Sequence, residues 1–420
     1  MNAPRSLTNA RTVFTNVAAW RPLRPRAVIA GVIALVAVAV SAHLRSTPYN
    51  NYVLLADAWR HGAVAIDWPG PNLNDALPWH GKAYVIEAPF PALLLLPFVM
   101  IWGTATNQTL LAIALAGIAV AAAWELCERL GASIDVTFWL VVFFLAGTDL
   151  WWCSMLGDVW FIAHTAAVTA TMLALLELTG KRRGWIVALL AACAFESRFT
   201  MVMAIPFYAY ILARGGFGDE PEQEEWALKA GRLRAFALAF LPVLVFWVWY
   251  NEIRWGTIAD IGYTEFYHQD PWGQKTGSPF RLAYFPYELY SFFMRAPLLS
   301  EFRQLALPPF FKVDPNGVAL TFTSPALIIA FFAPKRALSI ALWVTVALLA
   351  IPNFFYYLNG WYQFGMRHAL DFEPFLFVLM VFALRRFAIA PRWAALLCGY
   401  SAIVGVWGVW YWNTFVRQAT

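Results

Sequence analysis

Apolar residues in this chain come in long runs, not in alternation. The runs are 27–42, 88–102, 109–126, 134–150, 160–179, 185–196, 198–213, 234–251, 319–333, 337–352, 369–384 and 393–412, separated by short polar or basic stretches. A helix crosses the hydrocarbon of a bilayer with about 20 mostly apolar residues, or somewhat fewer when its ends snorkel or the bilayer thins. The pattern therefore predicts an all-α, polytopic membrane protein, several of whose segments are short.

The charges orient these segments. Lys181-Arg182-Arg183, Arg232 with Arg234, Lys335-Arg336 and Arg385-Arg386 sit between apolar runs, and Arg5, Arg11, Arg21, Arg24 and Arg26 precede the first. Such clusters mark cytoplasmic loops. This predicts a retained first helix with a cytoplasmic N-terminus, as no cleavage motif follows the 27–42 run. An even number of crossings must then separate Arg26 from Lys181, yet five runs lie between them. The run 88–102 is short and carries Pro89, Pro91 and Pro97, so it is the first candidate for an incomplete span, with 134–150 the second. Eleven crossings remain. The runs 185–196 and 198–213 meet at Glu196-Ser197-Arg198, and the charges favour a tight hairpin there over one kinked helix.

Composition supports this picture and narrows the function. Of 420 residues, 61% are hydrophobic, 17% aromatic and only 13% charged, where a soluble domain has about 25% charged. The net charge of +5 resides in the loop clusters, which argues against a nucleic-acid partner. Cys127, Cys153, Cys193 and Cys398 lie in or beside apolar runs without paired spacing and read as small hydrophobes. The division that follows is a leader over 1–26, a membrane module over 27–213 with a first outer loop over 43–87, a connector over 214–233 rich in acids (Asp219, Glu220, Glu222, Glu224, Glu225), and a C-terminal membrane region over 234–420 with an outer loop over 252–318. The absence of an internal repeat counts against a transporter built from repeats.

Candidate chemistry collects in the two outer loops and at the outer helix ends. The stretch "NYVLLADAWRHG" (51–62) predicts a short surface helix closed by Gly62, with Tyr52, Leu55 and Trp59 along one face. Turn residues Trp68-Pro69-Gly70-Pro71-Asn72 follow, then Asp75, then "HGKAYVIEAPFP", which puts Glu87 at the lip of an apolar run. Further on come "FFLAGTDLWWCSMLGDVWFIAH" with Asp158, "ALLAACAFESRFTMVMAIPF" with Arg198, and "GWYQFGMRHALDFEPFL" with Arg367 and Asp371. An acid at a helix mouth among tryptophans costs free energy unless it is paired, which singles out Asp158.

In order and spacing these elements resemble the GT-C membrane glycosyltransferases, in particular the branch of protein mannosyltransferases and lipid A aminoarabinose transferases. Glu87, Pro89 and Pro91 approximate that family's "Y-x-E-x-P-P-L" element. The resemblance covers most of 27–215 and, more weakly, 355–380. It implies a transferase that takes a sugar from a polyprenyl-phosphate carrier, at the outer face of a bacterial cytoplasmic membrane, to a lipid, glycan or protein acceptor. Asp57 stands as base, Glu87 and Asp158 as the acidic side of the site, Tyr52 and Lys82 as substrate contacts, and Arg198 and Arg367 as phosphate ligands, with a divalent metal such as Mg or Mn a candidate cofactor. Where the family opens its first loop with an acidic pair, this chain has Pro48-Tyr49-Asn50-Asn51, so the base falls to Asp57, Asp67 or Asp75.

Other readings stay open. A lipid or solute transporter would bury charges mid-helix and show related halves, whereas here the charges sit at helix ends. A non-catalytic membrane protein derived from such an enzyme fits the missing acids. His43, His61, His80, His164, His268 and His368 show no metal spacing and read as interfacial side chains. Among the 22 tryptophans most read as interfacial belts, while Trp255 and Trp272, with Tyr263, Phe266 and Tyr267, are candidates to stack on a sugar.

Overall fold

The structure is a computed structural model that describes residues 22–67, 75–218, 220–299 and 310–417. The leader arginines Arg5, Arg11 and Arg21, the turn Trp68-Pro69-Gly70-Pro71-Asn72 and Asp219 lie outside these described residues. The helices, in order, are α1 (Pro25–Ala42), α2 (Asn51–Arg60), α3 (Phe90–Trp102), α4 (Gln108–Arg129), α5 (Ile134–Ala146), α6 (Leu150–Leu156), α7 (Val159–Leu178) and α8 (Gly184–Phe195). There follow α9 (Ile205–Arg214), α10 (Trp226–Trp255), α11 (Gly262–Gln269), α12 (Phe285–Phe293), α13 (Leu320–Thr323), α14 (Ala337–Phe354), α15 (Glu373–Leu384) and α16 (Arg392–Tyr411). Tight 3-10 turns over Phe199–Ala204, Pro325–Phe332 and Arg367–Asp371 lead into or join them.

Among the described residues six helices are long and apolar enough to cross a membrane: α1, α4, α7, α10, α14 and the continuous stretch Arg392–Val416. The pair α5 and α6, bent by 45° at residues 147–149, makes a seventh if it counts as one span. The eleven expected crossings thus exceed what length alone supports. Phe90–Ala105, Gly184–Phe195, Phe199–Arg214 and Glu373–Leu384 are apolar but shorter than a full span. The chain is an integral membrane protein with a bundle of mixed depth. Helix α7 sits at its centre, 89% of its apolar window buried, whereas α10 has only 17% buried and forms a lipid-facing flank.

The basic clusters gather at one end of this bundle. The Arg24 guanidinium meets Glu128 at the foot of α4 (2.7 Å), Arg183 chelates Glu177 at the end of α7, and Arg385 donates to the Leu130 carbonyl (3.3 Å). Arg182, which precedes α8, pairs with Glu222 (2.7 Å) and Glu224 (3.2 Å) beyond α9. The start of α8 and the end of α9 therefore lie together, so the two helices form a hairpin that turns at 196–198. Close approach at this bundle's other seams uses small residues: a Cβ on Gly31 of α1 would fall 2.7 Å from the Gly117 carbonyl of α4 and 2.8 Å from Ala121 Cβ.

The opposite end carries the outer loops, and one of them departs from the all-helical expectation. Residues Ala76–Trp79 (β1) and Lys82–Val85 (β2) form an antiparallel hairpin that pairs Ala76 with Val85 and Leu77 with Tyr84. The two-residue turn between them has His80 at φ 47° and Gly81 at φ 76°, the left-handed geometry that matches the twist of paired strands. Arg254 at the end of α10 donates to the Val85 carbonyl (3.1 Å), and Gln269 of α11 to the Pro78 carbonyl (3.2 Å), which fastens the hairpin over the helix ends. A second small pairing, β3 (Leu298–Leu299) with β4 (Phe311–Lys312), closes the 252–318 loop.

Gly31→Val should separate α1 from α4 and cost about 1–3 kcal/mol, as overpacking does. Gly231→Ala in α10, where nothing lies within 4 Å of the added methyl, should instead hold or raise stability. Thermal unfolding of the detergent-solubilised protein by tryptophan fluorescence checks both, and equal melting temperatures for Gly31→Val and wild type would contradict the packing.

Candidate functional site

The hairpin decides where two acids meet. Its register, continued past the Ala76–Val85 pair, puts Asp75 opposite Ile86; Asp75 leaves the strand at φ 58° and Glu87 follows one residue later, so both acids stand at the open end of the hairpin. Glu87 is buried, its two carboxyl oxygens have no hydrogen-bond partner among the described residues, and Asp75 is the neighbouring acid. Burial raises Glu87 above the usual carboxylate range, and the neighbouring Asp75 carboxylate raises it further. Burial also lifts Asp75, to about 6, against the opposing pull of the neighbouring Glu87 and of the Arg367 charge. Trp160 at the start of α7 donates its indole N–H to Asp75.

Across from this pair stands a network built on Asp371. Its carboxylate has no exposed side-chain surface and accepts from Arg198 Nε (3.1 Å), Arg198 Nη2 (2.9 Å) and Thr200 Oγ1 (2.7 Å), with His164 Nδ1 at 3.2 Å. Arg198 Nη2 also lies 3.1 Å from His368 Nδ1. Arg367, one residue earlier, is buried over the Phe161 ring and donates Nη1 to Gln363 Oε1 (2.7 Å), while its Nε has no protein partner. The 3-10 turn over Arg367–Asp371 sets Arg367 over Phe161 and both His368 and Asp371 beside His164, all against α7.

Both groups line one cavity of about 510 Å³. Its wall includes Asp75, Glu87, His164, Arg198, Arg367 and His368, together with aromatic side chains from the outer loops, among them Tyr263, Phe266, Trp272, Tyr356 and Trp361. Asp270 also lines it and accepts from the Tyr357 hydroxyl. A second, apolar cavity of about 610 Å³ adjoins it between the end of α2 and helices α3, α8 and α10, with Glu196 its one charged lining residue. The partition is thin. Glu87 and Arg198 face the polar cavity, Pro89, Phe90 and Glu196 face the apolar one, and the Phe90 N–H donates to the Glu196 carbonyl (2.7 Å) between them.

Of the residues singled out in the sequence, Glu87, Arg198, Arg367 and the alternative base Asp75 come together here, with Asp371 behind Arg198. Asp57, Asp158, Tyr52 and Lys82 do not line the cavity. Asp57 lies on α2 and is held by Arg60 (3.6 Å) and His61 (3.7 Å). Asp158 precedes α7 and accepts from the Thr47 hydroxyl, which ties the first loop to the helix mouth. Tyr52 is fully buried in the packing of α2, and Lys82 is exposed on β2. The aromatic candidates divide: Tyr263, Phe266 and Trp272 line the cavity, whereas Trp255 packs on Tyr84 of the hairpin and Tyr267 is buried against Tyr284. The histidines read as interfacial divide too, since His164 and His368 belong to the site. Their signal was weak: His164 sits within an apolar helix where a polar ring needs a partner, and His368 adjoins Arg367.

Among the described residues no group of three or more His, Cys, Asp or Glu is placed to hold a metal ion.

Fold and cavity together define an all-helical integral membrane protein whose polar cavity lies at the end opposite its basic clusters. No protein-family model matches the chain, and no curated protein matches it in sequence. Among solved structures it is similar to ArnT from Cupriavidus metallidurans bound to undecaprenyl phosphate, at 14% identity and a TM-score of 0.49 over 86% of this chain. The match spans 60% of the length of that protein.

The Asp75 proton gives a test of the paired acids. The folded protein holds it up to about pH 6, whereas an unfolded chain releases it near pH ~4. The group thus favours the fold at the acid end, and that contribution is lost as the pH rises to about 6. Asp75→Asn should raise the melting temperature over wild type more at neutral pH than at pH ~4. An equal shift at both would show that Asp75 is not held protonated.

Proposed function

We propose that this protein is a GT-C-like glycosyltransferase that takes a sugar from a polyprenyl phosphate and acts at the outer face of a bacterial cytoplasmic membrane. The observation that carries this reading is the adjacency of the two cavities. One presents Arg198 and Arg367 opposite the Asp75–Glu87 pair within aromatic walls, and the other is a groove of hydrocarbon character. An amphiphile with an anionic head and an isoprenoid tail matches that division in both charge and polarity. The basic clusters at the far end support an outward-facing site under the positive-inside rule.

Each group then has a defined task. Arg367 through its free Nε, and Arg198 through Nη1, donate to the phosphate and stabilise the charge that develops as it leaves. The Asp75–Glu87 pair and Asp270 hydrogen-bond sugar hydroxyls, with one carboxyl of the pair retaining a proton to donate. Tyr263, Phe266 and Trp272 offer faces for a sugar ring. The groove beside α3, α8 and α10 takes the first isoprene units of the carrier, and the acceptor is a lipid, glycan or protein that reaches the cavity from outside.

Undecaprenyl phosphate is the probe for this reading. In proteoliposomes the wild type should bind it and consume a radiolabelled undecaprenyl-phosphate sugar. Arg367→Gln should weaken binding by roughly 10- to 150-fold, which corresponds to the about 1.5–3 kcal/mol of hydrogen bonds to a charged group. Lys335→Ala, at the basic end, should match wild type. No binding by the wild type, or equal binding by Arg367→Gln, overturns the reading.

A further inference from the structure

The two histidines of the site are held in opposite tautomers. Asp371 sits among Arg198, Thr200 and His164 with no exposed side-chain surface. An ionised carboxylate only accepts hydrogen bonds, so the His164 Nδ1 that faces it at 3.2 Å carries the proton. The lone pair of a neutral His164 is therefore on Nε2, which is buried, finds no partner among the described residues and belongs to a ring that lines the cavity. For His368 the logic reverses. A guanidinium only donates, so the His368 Nδ1 that faces Arg198 Nη2 at 3.1 Å is the acceptor, and its proton lies on Nε2. The two rings stand 5.2 Å apart at 73°. One bare nitrogen and one N–H are thus offered by adjacent rings of the same cavity.

We propose that His164 Nε2 is the base that takes the proton of an acceptor hydroxyl, with Asp371 as its positioning residue and His368 as a donor to the departing phosphate. This rests on the glycosyltransferase reading above. The acceptor oxygen forms a bond to the anomeric carbon as the bond from that carbon to the phosphate oxygen breaks. The electron pair leaves with the phosphate, which receives hydrogen bonds from His368 Nε2, Arg367 and Arg198. The proton gained by His164 then passes to the released phosphate. No oxidant, reductant or further reactant is needed. The assignment also names the acceptor class: an already anionic phosphate needs no base, whereas a neutral hydroxyl does, so the cavity is built for a hydroxyl acceptor. It supplies a base other than Asp75 and Glu87, the two acids that the first loop places in the cavity.

The charged and titratable groups facing His164 are Asp371, Arg198, His368 and Arg367, with Glu87 and Asp75 across the cavity. His164→Asn keeps a donor toward Asp371 and removes Nε2, and His164→Ala leaves room for free imidazole. The experiment uses full-length protein in proteoliposomes, a radiolabelled mixture of undecaprenyl-phosphate hexoses and pentoses, and membrane extract as the source of acceptors. The readouts are donor consumption and undecaprenyl phosphate binding, and thermal unfolding reports on folding. Both variants should consume donor roughly 100-fold or more slowly, the loss typical of a missing general base. Their binding should change little, and imidazole should restore part of the rate to His164→Ala. Variants that match wild type overturn the assignment while the glycosyltransferase reading stands. A loss of rate that imidazole does not restore, with binding lost in parallel, makes His164 structural and also overturns it. A wild type that neither binds undecaprenyl phosphate nor consumes any donor removes that reading, and this assignment with it.

Discussion

The end of this protein that holds the polar cavity is organised around one buried carboxylate. Asp371 has no exposed side-chain surface, and a bare charge there would be costly. It is satisfied by three side chains from two distant regions: His164 on α7, and Arg198 and Thr200 at the turn between α8 and α9. These residues are about 170 to 207 positions from Asp371 along the chain, so the network can form only when the two halves of the bundle are assembled. Removing either partner class would strand a charge in a low-dielectric interior, which makes the junction an all-or-none feature. Arg198 is fixed in place by this pairing, and so it presents its remaining donors to the cavity from a set position instead of from a flexible stem.

How much of this was legible in the sequence follows from which contacts are local. Glu87, Arg198 and Arg367 stood out because each is a charge beside an apolar run, and an isolated charge at such a border is informative on its own. Asp75 as the neighbour of Glu87 was not legible, because both reach the open end of a hairpin closed by a turn in which His80 adopts positive φ, and Asp75 itself leaves the strand at positive φ. Histidine is one of the few non-glycine residues that enter that region readily, so "HG" is a weaker hairpin signal than Asn-Gly. His164 and His368 were missed for a different reason. A search for metal spacing looks along the chain, while their relation passes through Asp371 and Arg198 in space.

The helices show the same division between local and assembled information. The runs of apolar residues locate nearly every helix, yet the number of crossings cannot be read from run length. Helices α3, α8, α9 and α15 span 10 to 13 residues each, which is about 15–20 Å at the α-helical rise. Segments so short leave backbone ends at membrane depth, and these are tolerated where protein covers them. Every residue of α15 is buried. The basic clusters, in contrast, were decisive from sequence alone, as their pairing with Glu128, Glu177, Glu222 and Glu224 collects them at one end.

The prolines after Glu87 acquire a physical role at the partition between the two cavities. Neither Pro89 nor Pro91 has an N–H to give, so within 89–91 the Phe90 N–H is the single main-chain donor. That donor goes to the carbonyl of Glu196, the residue at which α8 ends. One hydrogen bond thus joins the chain leaving the hairpin to the chain about to present Arg198. It sets the acid on Glu87 and the cation on Arg198 on the polar side, and Pro89 and Phe90 on the apolar side. With a second free donor at 89 or 91 the segment would have an alternative pairing and an alternative register. With none, the two cavities would lose the tie between their shared walls. The apolar run with an acid at its lip is too short for a full span, and it has a second role. It is a partition, whose sequence fixes which side of it each functional group occupies.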